Sequence, residues 1–322
     1  MNGWFRAIVS GWHLCACAVM LMLGGCTGIF FQPQLGLRGN PDVYNVQYED
    51  VTFAAADGTR LSGRFLPGWG KVTGTVIFLH GNAGNIDGHL SKIYWLPEHG
   101  FNVFLFDYRG FGRSDGRPNL PGLVSDINAA IQYVLKRPDV QPDRIVIYGQ
   151  SLGGALAVYV AATSVHRDHL CAVITDSAFA SYRQIAREKL AQNFLFWAVQ
   201  YPASYTVNDD YSPIDVIQNI SPTPVLVIHG GQDWLVPPHH GQQLYDKARD
   251  PKEFWMVDDA GHARLLYWTQ WQDQFVEYLR SVTCEHGRGG QDCGCGAKST
   301  VSSDGDTKGK IDGIDVLRNV TD

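Results

Sequence analysis

The chain has 322 residues, 45% of them hydrophobic and 18% charged. That length holds one large α/β domain or two small ones, and that apolar fraction supplies a sizeable core. A formal net charge of −6, without a Lys/Arg run, argues against nucleic acid as the main partner.

Arg6 is the only charged residue before Cys26, and the apolar stretch "LCACAVMLML" runs from Leu14 to Leu23. A positive start, a short apolar region and small residues before a cut site predict a secretory signal over residues 1–25. The apolar run is short for a spanning helix, which needs roughly 20 residues. The ending "LGGC", Leu23 to Cys26, resembles the lipobox of bacterial lipoproteins. That resemblance implies cleavage before Cys26 and acylation of its sulfur and new amino group, with a fatty chain such as palmitate. It also implies anchoring in a bacterial cell envelope, facing periplasm or exterior. Thr27, where an Asp would favour inner-membrane retention, favours the outer membrane. An ordinary signal peptide and an uncleaved anchor are the alternatives. Residues 26–42 read as a tether between membrane and domain.

From residue 43 to 283, short apolar runs alternate with helical stretches. "VQYEDVTFAA" and "RLSGRFLP" flank the turn "ADGT" and predict an antiparallel hairpin. "GTVIFLHG", "FNVFLFDYRG", "RIVIYG", "LCAVITD", "TPVLVIHG" and "EFWMVDDAG" are rich in Val, Ile and Phe, as strands covered on both faces are. "HLSKIYWLPEHG", "LPGLVSDINAAIQYVLKRP", "GALAVYVAATSVH", "PHHGQQLYDKARD" and "RLLYWTQWQDQFVEYLRSV" read as helices. This alternation predicts an α/β fold with a doubly wound, mostly parallel sheet. Residues 180–215 lack a strand and are rich in aromatics, which predicts a helical cap over the C-terminal edge of the sheet, where open α/β folds bind ligands. Cys171 lies in an apolar run and reads as a core thiol.

"GQSLG", Gly149 to Gly153, matches G-x-S-x-G between a predicted strand and helix. A strained turn there needs neighbours almost free of side chain, and Gly149, Gly153 and Gly154 supply them. Ser151 is the candidate nucleophile, and the Leu152 N–H would face a developing oxyanion. A serine hydroxyl needs a base and a group that orients the base. The loops after two later strands offer them: Asp233 in "GQDWLVP" and His262 in "AGHARLL". Asp176, at another strand end, is the rival acid. The second oxyanion donor is expected from "HGNAGN" at the Asn82 N–H, with Ala83 the alternative. Asp107 and Arg109 read as structural, and His80 and His229 as architecture at strand ends.

Together "HGNAGN", "DYRGFGRSDG", "GQSLGG", "HGGQDWLVP" and "GHARLL" resemble the α/β-hydrolases, specifically the BEM46/ABHD13-like group related to prolyl oligopeptidase-type serine hydrolases. The resemblance covers residues 45–282. It implies a triad of Ser151, Asp233 and His262, an acyl-enzyme route and no cofactor. From Glu285 the chain turns Gly-, Ser-, Lys- and Asp-rich, so residues 284–322 are expected to be a disordered tail. Cys284, Cys293 and Cys295 there admit a disulfide in an exported chain, while few other ligands accompany them to suggest zinc. The expected function is membrane-anchored hydrolysis of a small acyl substrate, a carboxylic ester or thioester. A serine peptidase of aminopeptidase type and a non-catalytic binding lipoprotein are the alternatives.

Overall fold

The computed structural model describes residues 31–36, 41–192, 194–285, 310–311 and 314–317. The signal segment and Cys26 lie outside the described residues, as do Cys293 and Cys295. The described strands are β1 (Gln32–Pro33), β2 (Glu49–Ala54), β3 (Arg60–Leu66), β4 (Gly74–Leu79), β5 (Ala83–Gly84) and β6 (Phe101–Phe106), followed by β7 (Ile145–Gln150), β8 (Leu170–Asp176), β9 (Val225–Gly230), β10 (Lys252–Val257), β11 (Lys310–Ile311) and β12 (Ile314–Leu317). The longer helices are α1 (Leu120–Leu135), α2 (Leu152–Thr163), α3 (Tyr182–Ala191), α4 (His239–Lys247) and α5 (Thr269–Glu285).

The main sheet runs β11-β12-β10-β9-β8-β7-β4-β6-β3-β2. Strands β6, β4, β7, β8, β9 and β10 are parallel, and β2 and β3 form the antiparallel start. This is the mostly parallel sheet predicted by the alternation, with the hairpin at its start, and it agrees with the α/β-hydrolase fold that the motif resemblance implies. The continuous apolar runs have a plain consequence. Side chains alternate across a strand, so Ile77 and Leu79 of β4 enter one core while Val76 and Phe78 enter the other. The first core is covered by α1, α2 and α4, the second by α5 and the irregular segment 86–99.

Three local expectations change. "HLSKIYWLPEHG" forms separate single turns rather than one helix. Pro97 inside the run and Gly100 at φ 82°, closing the last turn, punctuate it. The supposed tether is anchored at residues 31–36. β1 lies parallel to β5, the Gly36 N–H donates to Gly112 O, and Phe31 is buried. The tail is not uniformly without structure either. β12 adds antiparallel to β10, with Trp255 opposite Val316, and β11 completes a hairpin. A segment too short to fold alone gains its ladder from an edge strand that would otherwise leave backbone groups unpaired.

The region after β8, where a cap is expected, consists of α3 and single turns at Trp197–Val199, Gln200–Ser204 and Pro213–Val216. Its first helix is fixed by Ser181, whose Oγ accepts the Gln184 N–H and donates to Asp209.

Candidate active site

Ser151 stands between β7 and α2 at φ 54°, ψ −116°. A non-glycine residue at positive φ is strained, and the surroundings must hold it there. The glycines show how. A Cβ on Gly153 would lie 2.1 Å from Leu79 O, and one on Gly149 would lie 2.1 Å from Gly153 O. The start of α2 therefore presses backbone to backbone on the ends of β4 and β7. Ser151 is partly accessible, and its side chain makes no helix cap. Leu152 begins α2, so its N–H belongs to the first turn, which has no intrahelical acceptor.

The loop after β4 lies beside the serine: a Cβ on Gly81 would come within 3.6 Å of Ser151 Cβ. His80 and His89 hold this loop from below. The His80 ring stacks on His89 at 5.4 Å, and His89 Nε2 donates to Ala83 O at 2.9 Å. Burial drives the His80 pKa down to about 3, so the ring is neutral. From above, the Gln32 N–H donates to both the carbonyl and Oδ1 of Asn82. The Asn82 side chain thus ties down the N-terminal segment, while the preceding residue, Gly81, borders Ser151.

Asp233 and His262 come together on the loops after β9 and β10. His262 Nδ1 donates to Asp233 Oδ2 at 2.7 Å, and Asp233 Oδ1 accepts the Leu235 and Val236 N–H groups at 2.9 and 2.8 Å. Burial pushes the Asp233 carboxyl up, but the hydrogen bond and charge of His262 outweigh it and hold it below the usual range. Both oxygens of this carboxylate accept hydrogen bonds, so its orientation is fixed.

Asp176 has a different place. Its buried carboxyl accepts from Tyr148 OH and Gln150 Nε2 at 3.1 Å each and from Ser177 Oγ at 3.2 Å. Its backbone carbonyl accepts the Ser151 N–H at 2.8 Å. Ser177, at φ 54°, accepts the Ala263 N–H at 2.9 Å, and Ala263 is itself at φ 49°. One dipeptide therefore links the serine turn to the residue after His262. On its other side the histidine loop is held by Lys92, which donates to Ala263 O at 2.6 Å. Neither Ser177 nor Lys92 was legible as a site residue. Ser177 only follows a strand-end acid, and Lys92 reaches across 171 positions of sequence.

Asp107 and Arg109 are structural. Asp107 Oδ1 accepts the Ile86 N–H, and Arg109 pairs with buried Asp126 at 2.7 Å. His229 Nε2 donates to Val236 O at 2.9 Å and supports the Asp233 loop. Cys171 is buried, and burial pushes its thiol up to about 12. Among the described residues, Glu188, His239 and His240 bring ligand atoms within 4.8 Å of one another. His240 Nδ1, however, accepts the Ala180 N–H, so the neutral ring carries its proton on Nε2 and donates it to Glu188 Oε2 at 3.1 Å. The atom a metal would need is thereby occupied.

A serine on a strained strand-to-helix turn, with an acid and a histidine on later strand-end loops of a mostly parallel sheet, is the site of an α/β hydrolase. The chain belongs to that family: the "alpha/beta hydrolase fold" family matches residues 74–201 and 189–267. It is 39% identical over 261 residues to the uncharacterized protein YfhR of Escherichia coli K12, covering 79% of this chain and 87% of that one. It is 34% identical over 223 residues to the alpha/beta hydrolase domain-containing protein WAV2 of Arabidopsis thaliana, covering 66% and 71%. Among solved structures, the esterase Pf2001 of Pyrococcus furiosus superposes with a TM-score of 0.63 at 23% identity, over 78% of this chain and 97% of that one. That likeness is one of fold.

Proposed function

We propose that the protein is a membrane-anchored serine hydrolase of acyl bonds, acting on a carboxylic ester or thioester through Ser151, His262 and Asp233. The observation that carries this reading is the strained Ser151 turn tied through Asp176 and Ser177 to the loop on which His262 holds Asp233. His262 takes the proton of Ser151 Oγ as the oxygen attacks the substrate carbonyl. Asp233 keeps the ring proton on Nδ1, leaving Nε2 free as the base, and stabilises the imidazolium. The N–H groups of Leu152 and Asn82 receive the oxyanion. His262 then protonates the leaving oxygen or sulfur, and water releases the acyl group by the same route in reverse. The five motifs support a BEM46-like subfamily. The lipobox-like ending supports anchoring through acylated Cys26 in a bacterial envelope, with Thr27 favouring the outer membrane.

A fluorophosphonate probe tests the serine. The wild-type chain should label, and Ser151→Ala and His262→Ala should not. Asp233→Asn keeps the shape but lets the ring take the wrong tautomer, so labelling should slow by about 10⁴-fold. A folded wild type that stays unlabelled would sink the hydrolase reading in favour of a binding lipoprotein.

A further inference from the structure

The exposed apolar side chains are not scattered. Apart from Val43, Trp69 and Val165, every exposed large hydrophobic among the described residues follows the C-terminal end of a sheet strand or packs on a loop that does. Phe194 (90% exposed), Trp197 and Tyr205 belong to the cap after β8. Trp234 (76%) follows Asp233 after β9, and Trp268 follows His262 after β10. Leu35 (73%) lies on the N-terminal segment and bridges to Gly112 in the loop after β6. A patch of aromatic and aliphatic side chains on one edge marks an interaction surface.

Two further observations choose the partner. Although the chain carries a net charge of −6, cations stand over the rings of this edge. Lys92 lies 3.8 Å from the Tyr267 ring, Arg183 5.3 Å from Tyr205, Arg187 5.5 Å from Tyr201 and Lys189 5.8 Å from Trp234. Trp and Tyr rings mixed with cations suit the headgroup layer of an anionic bilayer, where the ring is half-buried and the cation meets phosphate. The second observation is reach. Phe31 is buried beside the site, and the five positions from Cys26 to it span at most about 18 Å. An anchor at Cys26 therefore holds this edge close to the lipid surface.

We propose that the C-terminal edge of the sheet, with the cap, docks on an anionic lipid bilayer. The cleft of about 520 Å³ lined by Lys92, His262, Arg264, Tyr267 and Trp268 opens within the same edge. A docked molecule would accordingly take its acyl substrate from membrane lipid. The reach argument and the substrate class rest on the anchoring and hydrolase activity proposed above, whereas the aromatic and cationic surface does not.

The test uses the full chain in phosphatidylcholine vesicles containing phosphatidylglycerol. Photoreactive p-benzoylphenylalanine replaces Trp197 or Trp234, and, as controls away from the edge, Val165 or Trp69. After illumination, mass spectrometry should find phospholipid adducts at both edge positions, several-fold above both controls. Arg187→Glu with Lys189→Glu should cut the adducts at Trp197 in these vesicles and much less in phosphatidylcholine alone. Equal adducts at all four positions, or only protein–protein products at the edge, would overturn the docking surface. Fluorophosphonate labelling of the same samples reads the other proposal separately: lipid adducts without labelling leave the surface standing and remove the hydrolase.

Discussion

Ser177 does more than its place in the sequence suggests. It sits fully buried at positive φ, and its Oγ is the acceptor for the Ala263 N–H. Ser177→Ala leaves that buried donor unpaired, which costs about 1–3 kcal/mol. It also releases one side of the histidine loop, and a small misplacement of a base slows attack by up to about 10²-fold. We expect a modest fall in the unfolding midpoint and a larger fall in the fluorophosphonate labelling rate. Loss of stability with an unchanged rate would make Ser177 a packing residue only. The candidate triad was legible beforehand because each member combines a residue type with a place at a strand end. Ser177 and Lys92 were not, because their roles consist of hydrogen bonds to a backbone far away in sequence, and no spacing records those.

The same division runs through the elements. Parallel strands and long amphipathic helices were readable, since their periodicity follows directly from which faces are covered. Segments that take structure from a neighbour were not. β1 has two residues and exists because the loop at Ala83–Gly84 offers it carbonyls and amides. β12 exists because β10 would otherwise end the sheet with an unpaired edge. The N-terminal segment therefore acts as a strap over the loop that would supply the second oxyanion donor. Phe31 is its apolar pin. Phe31→Ala should free the strap without unfolding the domain, because β1 pairs only with β5 in a separate two-stranded sheet and not with the main sheet. Limited proteolysis would then cut within residues 31–36 well before the domain, and labelling of Ser151 would slow several-fold as Asn82 loses its Gln32 partner. An intact strap in the variant, or a cleaved strap with unchanged labelling, would show that it does not govern the loop.

The molecule as a whole buries several carboxylates, and this sets how its stability responds to pH. Burial raises Asp107, Asp126 and Asp176, against the opposing pull of Arg109 on Asp126, whereas Asp233 and Asp139 are held low by their partners. Burial pushes the Asp107 carboxyl up from 3.8 to about 6, more than the N–H groups of Ile86 and Arg113 pull it down. The folded state then keeps a proton that the unfolded chain releases near pH 4. Between those values the native state binds more protons, so stability is fully present below about pH 4 and falls as pH rises through 6. A shift of that size corresponds to roughly 3 kcal/mol. Asp107→Asn removes this titration while keeping an acceptor for Ile86, at a constant cost because its amide meets the Arg113 N–H. Urea unfolding of both chains at pH 4.5 and 7.5 separates the two effects. The variant should be the weaker protein at pH 4.5 and recover relative to wild type by 7.5. A difference that stays constant with pH would mean that Asp107 is ionised throughout, its charge carried by the amides around it.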